Sequence, residues 1–353
     1  MLLNVQMLRG LAALLVVFVH LEVLGQMAGL SEGWPLFGNS GVDLFFVISG
    51  MIMVMTTAEG LHTPASFMRN RLIRVAPLYW AVTFFVFAIA LAAPSLMQTT
   101  TADPVQLLKS LAFIPFERAD GTVRPTVFLG WTLNYEMAFY AIFALGLALP
   151  GRRLGLAVTG GLLVALATFG LLLRPEQPLL AFYLQPLIYE FAAGMALGAL
   201  MPKGPIARSW RWPAAGAGVA AFAAMIAAGQ LWPQAERALV SGAPAVVIVA
   251  CAVVAERAGL KAGQAWIQLL GAASYSIYLT HFFCTTAATK LAQSMQLSPA
   301  MLIASFPLIF LLVAIVGGLV HLKIELPLTG LVRRWMRPNS AASRTDRQPS
   351  AGI

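Results

Sequence analysis

The amino-acid sequence predicts an all-α fold: a polytopic membrane helix bundle of about ten transmembrane helices with both termini in the cytoplasm. Three observations predict it. Of 353 residues, 59% are hydrophobic and only 10% are charged, where a soluble domain carries about 25% charged residues, and the mean hydropathy is +0.80. The apolar residues fall in runs of about 20, the length that spans a hydrocarbon core of about 30 Å. The basic residues segregate to alternate loops, as the positive-inside bias requires.

The first run, 4–26, holds a single early arginine, and no small-x-small cleavage site follows it closely. It therefore reads as a retained first helix rather than a cleaved signal peptide. The other runs lie near 38–58, 76–95, 126–149, 154–173, 179–200, 212–231, 239–256, 266–289 and 299–322. With the N-terminus inside, the inner loops and tail hold Arg69, Arg71, Arg74, Arg152, Arg153, Lys203, Arg208, Arg211, Arg257, Lys261, Lys323, Arg333, Arg334, Arg337, Arg344 and Arg347. Arg9 lies near the same face. Only Lys109, Arg118, Arg124, Arg174, Arg237 and Lys290 fall outside. The net charge of +9 thus reads as membrane orientation, with no nucleic-acid partner.

The longest outer segment, roughly 96–125, follows Pro94, contains Pro104, Pro115 and Pro125, and carries a KSLAFIPF stretch that reads as a short interfacial helix. Residues 1–335 read as one transmembrane domain and 336–353 as a basic, disordered cytoplasmic tail. Cys251 and Cys284 sit in apolar runs and read as packed thiols, and no metal is expected. No internal repeat is evident.

Ionisable residues inside a bilayer are costly and mark functional sites. Arg9 and His20 are eleven residues apart, so they share one helical face with about 16 Å between them along the axis. A cation and an imidazole so placed suit a long ligand with an anionic head; the competing reading is that each snorkels to its own headgroup layer. Asp43, in GVDLFFVISG, enters the second helix at a depth comparable with His20. There it either orients the imidazole or complements the helix dipole. Arg71 and Arg74, in RNRLIRVAPLYW, are helical neighbours ahead of Pro77. They form either a phosphate clamp or an ordinary inside flank.

Glu136, in WTLNYEMAFY, and Glu190 lie within spans and need a partner or a wet cavity. In SYSIYLTH, Ser274, Tyr278 and His281 share a face, with His281 level with His20 and Asp43. His321 and Glu325 are four apart and read as a structural pair. Taken together, these residues form a basic inner mouth (Arg9, Arg71, Arg74) and a titratable outer cluster (His20, Asp43, with Glu136 and His281). That arrangement suits a phosphate-bearing donor from the cytoplasm whose reactive end reaches an acid–base centre.

In this order the motifs R-x10-H, GVDLFFVISG, RNRLIRVAPLYW, WTLNYEMAFY, SYSIYLTH and IELP resemble the membrane-bound acyltransferase-3 family over about 4–335. The opening VQMLRGLAALLVVFVHL and the absence of a second domain look most like its exopolysaccharide O-acetyltransferase branch. The resemblance implies a multi-pass protein of the bacterial inner membrane. Such enzymes transfer an acyl group, usually acetyl, from cytoplasmic acyl-CoA to a hydroxyl of an extracytoplasmic or lipid-linked polysaccharide. It assigns Arg9 and His20 to the R-x10-H pair and Arg71 and Arg74 to the R-x-x-R pair. Thr132 stands where the family often has Ser, and Asn134 falls at a variable place; neither change removes an ionisable group.

On this reading Arg9, Arg71 and Arg74 hold the phosphates of acetyl-CoA, whose pantetheine arm threads along the first helix. His20, oriented by Asp43, acts as general base or is itself acylated. Glu136 and His281 shape the acceptor side or relay the proton. The rival class is a glycan or proton-coupled transporter or flippase using the same charges. A third reading, association with polysaccharide synthesis machinery as a scaffold, leaves the buried charges without a purpose.

Overall fold

The computed structural model describes residues 2–58, 63–97, 100–232 and 234–336. Residues 337–353, most of the expected tail, lie outside the described residues. The chain folds as an all-α bundle. Its first helices are α1 (Leu3–Val19), α2 (Glu22–Met27), α3 (Ser40–Thr56), α4 (Pro64–Ala92) and α5 (Pro104–Leu111). A two-stranded hairpin, β1 (Phe116–Glu117) and β2 (Val123–Arg124), pairs Phe116 with Arg124. There follow α6 (Trp131–Leu147), α7 (Arg152–Leu173), α8 (Pro178–Tyr183), α9 (Ile188–Leu200), α10 (Arg211–Leu231) and α11 (Ala243–Arg257). The last are α12 (Ala265–Ala272), α13 (Ser274–Ser294), α14 (Pro299–Val320) and α15 (Leu326–Trp335). One-turn π segments, Ala238–Gly242 and His321–Glu325, lead into α11 and α15.

All ten apolar runs contain helix, and seven described segments are long and apolar enough to cross a membrane. They are Leu36–Thr56, Pro64–Ala92, Arg152–Leu173, Pro178–Leu200, Arg208–Leu231, Ala238–Arg257 and Pro299–Trp335. The runs that fall short have identifiable reasons. The helix α1 has 17 residues, α6 carries Thr132, Asn134 and Glu136, and α13 carries Ser274, Ser276, Thr280, His281, Thr285 and Thr289. These shorter or more polar helices are inner ones, as is α3, whose span is largely buried. By contrast α7, α10 and α14 turn most of their residues outward, as lipid-facing helices do.

The helix α4 begins earlier than its apolar run. Thr63 caps it, its hydroxyl accepting from Ser66 N at 3.1 Å, with Pro64 at the first position. Pro77 lies inside a continuous 29-residue helix, so Arg71 and Arg74 sit well within it rather than ahead of its start. In the outer segment the helix is α5, capped by Asp103, whose carboxylate accepts from Val105 N at 2.7 Å. Only the KSL of KSLAFIPF is helical.

Close backbone contact organises the centre. At Gly41 a Cβ would strike the Ala12 carbonyl, and at Gly194 the Val47 carbonyl, so α1 packs on α3 and α3 on α9 at small-residue distance. The first turn of α1 has no cap of its own. Glu256 at the end of α11 supplies one, accepting from Leu3 N at 2.9 Å and Asn4 N at 2.7 Å. Arg152 donates to the Val54 carbonyl (3.1 Å) and Arg257 to the Gly204 carbonyl (3.2 Å). The loop arginines read as inner therefore gather at one end of the bundle, with the start of α1.

Candidate active site

Five helices build a basic cavity. Arg9 comes from α1, Ser49 from α3, Arg71 and Arg74 from α4, Glu136 and Tyr140 from α6, and Ser274 and Tyr278 from α13. It measures about 770 Å³ with its mouth included. Arg74 is exposed, Arg71 half-buried and Arg9 buried, so the three guanidinium groups run from the mouth inward. Arg71 is held by Thr56 Oγ1 (3.1 Å) and lies over the rings of Phe67 (5.2 Å) and Tyr140 (5.6 Å). Arg9 donates to Gln6 Oε1 at 3.3 Å. Among the described residues lining the cavity one carboxylate, Glu136, faces these three cations, and it accepts from Ser49 Oγ at 3.1 Å. The donors left over suit an anionic group. The cavity follows α3 from Ile52 to Val42, ten residues or about 15 Å of helix axis.

A second group lies beyond it. His20 follows the last turn of α1, its ring centroid 4.9 Å from His281, 5.5 Å from Phe128 and 5.8 Å from Phe282. His281 is wholly buried, with Nδ1 3.2 Å from the Ile277 carbonyl. A carbonyl only accepts, so Nδ1 carries the proton and Nε2 presents a lone pair. Among the described residues that nitrogen has no hydrogen-bond partner. The two imidazoles expected at one level are thus brought together.

Other expectations are corrected. Asp43 does not orient His20. Both its oxygens are taken by Arg237, with Nε 3.0 Å from Oδ1 and Nη2 2.8 Å from Oδ2. A fork of charged donors outcompetes a neutral imidazole for a buried carboxylate. Glu190 packs beside this pair, and its oxygens have no hydrogen-bond partner among the described residues. Glu136 belongs with the arginines, not with His20, because α6 turns it and Tyr140, four residues on, into the basic cavity. Nor does an open path follow α1. Ala12, Ala13, Val16 and Val17, between Arg9 and His20, are buried in helix packing. His321 and Glu325 do pair, at 2.7 Å, and Ser276 Oγ donates to the same carboxylate at 2.6 Å.

Sequence reasoning missed Arg237, which it assigned to an outer loop; its one signal was a lone arginine directly before an apolar run. It also left Tyr278 without a role, although the shared face with His281 pointed to it.

Comparison with known proteins bears on this geometry. The acyltransferase domain model of the acyltransferase-3 family matches residues 2–321. The chain is 35% identical over 300 residues to the exopolysaccharide production protein ExoZ of Rhizobium meliloti (strain 1021), covering 82% of this chain and 89% of that one. It is 27% identical over 296 residues to BcsY of Komagataeibacter xylinus, described as a membrane-bound transacylase, covering 78% and 70%. No solved structure matches the chain.

Proposed function

Because the chain belongs to the acyltransferase-3 family, and is a multi-pass membrane acyltransferase, we propose that it is an O-acetyltransferase of the bacterial inner membrane. Its donor is acetyl-CoA from the cytoplasm, and its acceptor is a hydroxyl of an extracytoplasmic or lipid-linked polysaccharide. The relative that functions in exopolysaccharide production supports the acceptor class. The observation that carries the reading is a cavity graded with three arginines that ends one helical turn short of a pair of imidazoles, His20 half-buried and His281 buried.

Arg74, Arg71 and Arg9 bind the donor's phosphates, the first two as neighbours on α4 and the third from α1. The pantetheine arm lies along α3, in the 15 Å or so between Ile52 and Val42. His20 takes the proton of the acceptor hydroxyl. The hydroxyl oxygen bonds to the thioester carbon, the carbon–sulfur bond breaks, and the departing thiolate recovers the proton from His20. His281, its Nδ1–H fixed on Ile277, positions His20 and presents Nε2 to the acceptor side. Glu136 offsets part of the arginine charge and sets their spacing. Asp43 contributes through Arg237, by holding α3 to the π turn that leads into α11.

The test is mass analysis of the surface polysaccharide from cells carrying His20→Ala or Arg9→Ala at normal protein levels. Both are expected to lose its acetylation; full acetylation in both overturns the proposal. Transfer of labelled acetyl from acetyl-CoA by purified protein separates this reading from a transporter, which needs no CoA.

A further inference from the structure

The basic cavity and the two histidines do not share one space. Tyr275 and Tyr278 of α13 line the cavity, whereas His281, one turn further along the same helix, does not, and neither does His20. Tyr278 stands between them. Its ring lies in the cavity wall at 6.2 Å from Phe45, and its centroid is 6.0 Å from that of His281. Both lone-pair and proton sides of its hydroxyl are engaged. It donates to the Leu129 carbonyl at 2.9 Å and accepts from Thr132 Oγ1 at 2.9 Å. Leu129 lies in the turn Phe128–Gly130, which also supplies the phenyl ring beside His20. Tyr278 thus bolts α13 to the start of α6 across the line from the arginines to the imidazoles.

We infer that Tyr278, held by Thr132 and Leu129, is the positioning residue that partitions the donor cavity from the His20–His281 pair and admits the thioester only when it swings aside. The inference rests on reading the cavity as the acyl-CoA site. Three residues of helix separate Tyr278 from His281, about 4.5 Å along the axis, so a thioester stopped at Tyr278 lies one side-chain rotation short of His20. A partition is needed at this point. A thioester left beside a general base in reach of water is hydrolysed: the water oxygen bonds to the thioester carbon, the carbon–sulfur bond breaks, the thiolate takes one of the water's protons, and the other passes through the base to solvent as acetate leaves. The hydroxyl of Tyr278 is bound to the same turn that carries Phe128, so an acceptor settling against Phe128 and His20 presses on the bolt itself. Donor access is thereby coupled to acceptor occupancy.

The experiment compares wild type, Thr132→Val and Tyr278→Phe in lipid nanodiscs supplied with radiolabelled acetyl-CoA. Acetate release without acceptor is measured, and so is transfer to purified exopolysaccharide of the host. Each substitution keeps the shape of the side chain and removes one or both hydroxyl contacts. The ratio of hydrolysis to transfer is expected to rise about 5-fold for each hydrogen bond removed. A wild-type ratio in both variants overturns the partition. So does a parallel fall of both activities, which is what a merely structural contact would give. A wild-type protein that neither hydrolyses nor transfers acetyl removes the donor reading of the cavity, and the partition falls with it.

Discussion

Asp43 shows how a residue's neighbours decide its role. Its carboxylate is fully buried and bound at two points by Arg237, whose side chain remains 35% exposed. Removing one partner leaves the other charge uncompensated, and such a loss costs about 3–5 kcal/mol in a fully buried pair. Here Asp43→Asn is expected to cost about 2–3 kcal/mol, because the exposed part of Arg237 recovers some solvation. The double variant Asp43→Leu with Arg237→Met replaces the pair by apolar groups of similar size and is expected to regain most of that stability. If Asp43 acts only through Arg237, glycan acetylation recovers along with thermal stability. Recovered stability without acetylation would place Asp43 at the reacting atoms after all. The sequence showed that Asp43 was costly and needed a partner. It did not show which partner, because the two residues are 194 positions apart and no local spacing encodes such a pairing. Arg71 and Arg74 were legible, since their neighbourhood is a property of one helix.

Among elements, hydropathy marks the lipid-facing helices most plainly, and also the largely buried α3. The outward helices α7, α10 and α14 announce themselves as apolar runs. The inner helices α6 and α13 carry the polar residues of the site and are correspondingly weaker as spans. The start of α4 was readable from Thr63-Pro64, yet the apolar run drew attention to Pro77 instead. The packing of α3 on α9 depends on glycines that hydropathy does not register: Gly50 meets the Phe191 carbonyl, Gly194 that of Val47 and Gly198 that of Met51. Since α3 also supplies Ser49 and the cavity wall, spreading this pair displaces the site. Gly194→Ile is therefore expected to lower the thermal unfolding midpoint in detergent by several degrees or more, because the obstruction is backbone and cannot rotate away. Gly160→Ala on α7, where a Cβ meets nothing within 4 Å, is the matched control and is expected to be neutral or slightly stabilising. Equal stability of the Gly194→Ile and Gly160→Ala variants would contradict the close approach.

For the whole molecule, the decisive property is which end faces the donor. One end gathers the start of α1 with Glu256, Arg152 against Val54, and Arg257 against Gly204. The opposite end holds His20, the hairpin with Arg124, and Arg237 on Asp43. The proposed function requires the first end, which the positive-inside bias favours for the cytoplasm, to meet acyl-CoA and the second to meet the glycan. On the proposed function two requirements meet in one bundle: the donor phosphates enter beside Arg74, and the acceptor arrives beside His20. Single cysteines at Arg153 and Arg124, in a background with Cys251 and Cys284 replaced by alanine, report the orientation directly. In intact spheroplasts a membrane-impermeant thiol reagent is expected to label the Arg124→Cys protein at once and the Arg153→Cys protein only after lysis. The reverse pattern would turn the arginine mouth outward, away from any cytoplasmic CoA ester. The residues would then be in the right constellation on the wrong side of the membrane for the proposed reaction, and a donor of extracytoplasmic origin would have to be sought.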